Sequence, residues 1–150
     1  MAQITAVLIA VVAIVAQARP APQPAPILEN VDLMDIVVKP AYDDLQQAMA
    51  TPPADRQAWA AIYQKAARLA EIENLLFLRT RAATERRGEW AERAAQARQA
   101  SADVAAAALT GLRATRPDDF DLVRRMFTAV SAGCNASHRT FSREAPAIRP

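Results

Sequence analysis

Apolar residues recur at intervals of three and four along most of the chain, the repeat that lines side chains up on one face of a helix. The first such stretch covers about Glu29 to Met49, with Val31, Met34, Val38, Ala41, Leu45 and Ala48 as its apolar face. Pro40 falls inside it and lacks a backbone N–H, which predicts a kink or restart near Lys39. The run Thr51 to Asp55 (TPPAD) predicts a turn and a new helix start, with Thr51 as the cap and proline in the first helical position. A second helix follows over about Ala54 to Arg81, turning Trp59, Ile62, Ala66, Leu69, Ile72, Leu75 and Leu76 inward.

The third helix starts near Gly88, and its inward face is Trp90, Ala94, Ala97, Ser101, Val104, Ala108 and Leu112. That face is nearly all small, which lets a neighbouring helix approach closely. Arg116 to Asp121 (RPDDFD) restarts the chain, with acids in the first turn complementing the helix dipole. The fourth helix repeats Phe120, Val123, Phe127, Val130, Cys134, Ser137 and Phe141, a 3-4-3-4 seam. Cys134 is therefore expected to face the interior, with His138 at its edge.

Four amphipathic helices joined by short connections predict an all-α, antiparallel up-down-up-down four-helix bundle over residues 28–150. Composition agrees: the chain is rich in alanine and has only three glycines, and 52% of it is hydrophobic. Upstream, the uncharged apolar run Ile4 to Ala16 ends in the small-x-small pattern Ala16-Gln17-Ala18. The run is short for a membrane span of about 20 residues. It predicts an export signal over residues 1–18, cut after Ala18, with an uncleaved anchor as the alternative. Residues 19–27 alternate proline and read as an extended tether to the bundle.

Export implies a periplasmic, oxidising location, where a single cysteine cannot form an internal disulfide. The net charge of +2 is spread over interleaved acids and bases, which argues against nucleic-acid binding. The charged run Arg79 to Arg87 reads as a solvated connection, whose arginines could steer an acidic partner.

The sole cysteine and the sole histidine, Cys134 and His138, lie four residues apart, about one helical turn. One histidine without a carboxylate nearby in sequence is poor material for a catalytic triad, so the chain does not read as an enzyme. The frame Cys134-Asn135-Ala136-Ser137-His138 matches the haem-attachment pentad Cys-x-x-Cys-His, except that serine replaces the second cysteine. The Ser137 hydroxyl is not a nucleophile at neutral pH, so a second thioether cannot form there. Two other readings stay open: a buried thiol acting as a small hydrophobe, and a zinc site needing two more ligands.

The chain resembles the class II (cytochrome c′-like) cytochromes c. The resemblance is carried by Leu33 to Leu45 (LMDIVVKPAYDDL), Ala67 to Leu76 (ARLAEIENLL), Trp90 at the third helix, and Cys134 to Phe141 (CNASHRTF). Within these, Glu71, Asn74 and Phe141 fall on family positions, while the arginine that often follows the aromatic is displaced to Arg143. The resemblance implies haem c held by a single thioether at Cys134, with His138 as proximal iron ligand. Met34 is the matching sixth ligand; where that position is apolar in such proteins, the iron is five-coordinate and binds gases. Gly133 costs about 1 kcal/mol against alanine inside a helix, which a flat macrocycle on the backbone would justify.

The expected function is one-electron transfer in the periplasm, with an unidentified redox partner protein, no nucleic acid, and no membrane unless the N-terminal segment is uncleaved. A homodimer fits the family. The alternatives are a cofactor-free helical binding or structural module on the same scaffold, and a gas-binding haem protein.

Overall fold

Residues 25–79, 86–114 and 116–150 are described by the computed structural model, and all regular structure among them is helical. The expected export signal and residues 19–24 of the tether lie outside the described residues. No helix among the described residues is long and apolar enough to cross a membrane.

Helix α1 (Asn30–Leu33) runs through a π-helical turn, Met34–Val38, into α2 (Lys39–Ala48), and the backbone stays right-handed helical at both joins. Pro40 is the physical cause. It donates no hydrogen bond to Ile36, and its ring crowds that carbonyl, so the ladder relaxes by one residue just before it. The extra residue rotates everything upstream. Val31, expected on the apolar face, is 68% exposed, whereas Leu33 is buried. Downstream of the turn Ala41, Tyr42 and Leu45 are buried in the ordinary phase.

Helix α3 (Arg56–Glu73) is capped by Asp55 rather than Thr51: the Asp55 Oδ1 accepts from the Ala58 amide at 2.7 Å. The helix ends at Glu73 and tightens into a 3₁₀ turn, Asn74–Leu78, well short of Arg81. That tightening throws Leu75 outward, against expectation, while Leu76 stays buried. The buried Trp90 indole donates from Nε1 to the Leu76 carbonyl at 2.8 Å and fixes this end of the turn.

Helix α4 (Arg87–Arg113) packs along both α3 and α5 (Asp119–Phe141), and α2 packs on α3. Asp119 opens α5, taking the Arg116 amide at 2.8 Å and the Arg116 guanidinium at 3.3 Å. The small face of α4 does bring a neighbour close. A Cβ at Gly111 would lie 2.6 Å from Cε3 of Trp59, so only glycine leaves room for the indole against α4.

The central core joins Leu45, Trp59, Ile62, Leu69, Val104, Val123, Phe127 and Val130. A second cluster at one end joins Leu33, Leu76, Trp90 and Ala94, with Met34, Val37, Val38, Phe77 and Phe141 packed on it. Each large apolar side chain buried this way contributes about 1.5–3 kcal/mol. Beyond α5 the chain turns back. Asn135 pairs with both backbone groups of Ile148, at 2.7 and 2.8 Å, while Tyr42 Oη and Gln46 Nε2 donate to the Arg149 carbonyl at 2.7 and 3.0 Å.

The connection after the 3₁₀ turn is not simply solvated at its ends. Arg79 is buried and donates to the Leu28 carbonyl, and Arg86 stacks on Phe141 at 4.8 Å while pairing with Glu89 at 2.7 Å. Residues 80–85 between them lie outside the described residues.

Candidate functional site

The last two turns of α5 carry the chemistry. Cys134 is half-buried against the central core, and Tyr42 of α2 and Glu73 at the end of α3 are near enough to interact with it electrostatically. Burial pushes its thiol up to about 12, and the neighbouring Glu73 carboxylate adds to the rise. The Tyr42 hydroxyl is likewise held up to about 12, by burial first and by the Cys134 sulfur second. A thiol kept protonated this way is a weak nucleophile in the folded chain.

Glu73 is 1% exposed, and burial raises its carboxyl to about 7. Ser101 on α4 lies beside it and opposes the rise, yet neither Ser101 Oγ nor Glu73 Oε2 has a hydrogen-bond partner. No cation pairs with Glu73 among the described residues. Glu71 and Asn74, singled out by the sequence resemblance, instead bond each other at 2.9 Å on the exposed side. The buried carboxylate was the residue that sequence reasoning missed, although its signal is there: Trp59, Ile62, Ala66, Leu69, Glu73 and Leu76 continue a single 3-4 seam.

His138 lies one turn beyond Cys134 and is half-buried. Burial disfavours its imidazolium and lowers its pKa from 6.5, while the Pro146 carbonyl opposes the shift. Its Nδ1 is buried with no partner. Burial thus favours the neutral imidazole, the form that can give a lone pair to a metal. A Cβ on Gly133 would meet nothing within 4 Å, so the backbone beside the cysteine is open.

Met34 is half-buried on the second cluster with Phe141, one turn past His138. The Phe141 ring meets Trp90 edge-on at 5.1 Å. Cys134 packs on the central core instead, and Val38 touches both clusters. The cysteine and the methionine thus belong to adjoining parts of the interior and not to one contact group. Among the described residues no three His, Cys, Asp or Glu side chains gather where they could hold a metal ion, so the zinc reading finds no third ligand there.

Comparison with protein families, curated proteins and solved structures finds no match to this chain. The donor chemistry nevertheless fits a covalently held porphyrin: a thiol, a neutral imidazole with an unpartnered buried nitrogen one turn later, and bare backbone at Gly133.

Proposed function

We propose that this chain is a haem-carrying electron-transfer protein of the cytochrome c′-like type, acting in the periplasm, with its helices in up-down-up-down order. One arrangement carries the reading: Cys134 and His138 keep the attachment register on α5, where burial disfavours the His138 imidazolium and leaves Nδ1 unpartnered. When bound, the haem supplies the one-electron chemistry through its iron. The chain's own residues hold and shield it. His138 is the proximal ligand, Cys134 the single covalent anchor, and Met34 the candidate sixth ligand. The second cluster, built on Leu33, Leu76, Trp90 and Ala94, excludes water at that end of the bundle.

The test is expression in a host competent in cytochrome c maturation, followed by intact mass and a pyridine haemochrome spectrum. The expected result is a mass increased by one haem, with an absorption band displaced from that of two-thioether proteins by the remaining vinyl group. An apoprotein mass from that host would overturn the proposal. His138→Ala should keep the added mass and change the spectrum, because attachment and ligation are separate bonds.

A second reading, a cofactor-free helical module, is favoured by the return of the C-terminal residues onto Asn135, Tyr42 and His138. On that reading Ser137 is a lost cysteine. Replacing Cys134 or His138 should then leave the protein's mass increment and spectrum unaffected, there being none.

A further inference from the structure

The residues leading into α1 and those of the 3₁₀ turn line a half-open cavity of about 300 Å³. It shares Leu33 and Val37 with the second cluster but does not include Cys134, His138 or Met34, and what is inferred for it does not use the haem reading. Leu33, Val37, Leu75 and Leu78 form its walls, and Ile27 stands exposed at the rim. Into this apolar space comes Arg79, which is only 8% exposed.

Arg79 donates through Nη1 to the Leu28 carbonyl, but its Nε is buried with no acceptor, and no carboxylate pairs with it among the described residues. A guanidinium keeps its charge across the physiological range, and a charge buried without a counter-ion is costly. The Leu28 carbonyl offers a dipole and not a charge. Among the described residues the guanidinium thus has apolar walls, one carbonyl and no counter-ion around it.

We propose that this cavity binds a medium-chain aliphatic monocarboxylate, its alkyl chain against Leu33, Val37, Leu75 and Leu78 and its carboxylate on Arg79. The planar, forked guanidinium matches a planar carboxylate, and one cation balances one anion, where a doubly charged phosphate would leave charge unmatched. A cavity of about 300 Å³ is at the small end for organic ligands and suits one alkyl chain, not a two-chain lipid.

The experiment is calorimetric titration of the purified full chain with decanoate below its micelle concentration, alongside decylammonium. Saturable one-to-one uptake of decanoate is expected, with decylammonium bound at least about tenfold more weakly. Arg79→Met should weaken decanoate binding by about tenfold or more, the loss of a charge-assisted hydrogen bond. Because Arg79 also holds Leu28, that variant is checked by circular dichroism. Val37→Trp, which fills the cavity and leaves the guanidinium in place, should abolish uptake independently. No saturable uptake overturns the proposal, as does equal affinity for decanoate and decylammonium. Flotation with phosphatidylglycerol vesicles, in a chain that takes up no decanoate, would overturn it in favour of a lipid surface.

Discussion

Glu73 places a carboxyl where water does not reach, and among the described residues no cation pairs with it. With a folded pKa near 7 against an unfolded value of 4.5, the folded chain holds a proton that the unfolded chain gives up. Stability is therefore greatest below pH 4.5 as far as this group is concerned, falls as pH rises to 7, and levels off above. The full swing is roughly 3 kcal/mol. Glu73→Gln, which mimics the protonated form, should raise the melting temperature at pH 8 and change it little at pH 5. Thermal unfolding across that range checks it; equal effects at both pH values would show that the carboxyl ionises freely in the fold. Cys134 and His138 could be singled out from sequence because each occurs once. Glu73 and Arg79 could not be recognised as buried by residue type, since charged side chains are almost always outside. Only the seam spacing betrays the first, and nothing local betrays the second, whose burial depends on residues Ala25 to Leu28 meeting the 3₁₀ turn.

At the scale of elements, periodicity located the helices of the described residues, because burial of one face is what holds them in place. It failed where the helix itself changed pitch. The π turn before Pro40 exchanged Val31 for Leu33, and the 3₁₀ turn after Glu73 expelled Leu75. Neither irregularity alters composition, so a constant 3.6-residue repeat cannot register it. The small face of α4 was legible as a close-packing surface, yet which glycine mattered was not. Gly133, chosen for its place beside Cys134, has open space around it, whereas Gly111 has the Trp59 indole on it. Gly111→Ala should accordingly destabilise the protein by about 1–3 kcal/mol through overpacking, despite a helix-propensity gain of about 1 kcal/mol. Denaturant unfolding measures the balance, and a stabilised variant would mean that α3 and α4 separate more easily than their packing implies.

At the scale of the molecule, the all-helical, four-helix content of the described residues was legible and the final residues were not. Ser142 onward carries no periodic pattern, and its position is set by individual hydrogen bonds to Asn135, Tyr42 and Gln46. Removing residues 146–150 should cost about 1–3 kcal/mol for the lost bonds. In the haem-free chain it should also speed labelling of Cys134 by a thiol reagent about tenfold, by opening that end locally. Unchanged labelling would mean that the core, and not the returning segment, guards the sulfur.

Those bonds also impose an order on folding. Tyr42 and its acceptor on Arg149 are 107 residues apart, so their bond closes a long loop and follows the packing of the helices between them. Any enzyme that modifies Cys134 has until that moment to find the sulfur uncovered.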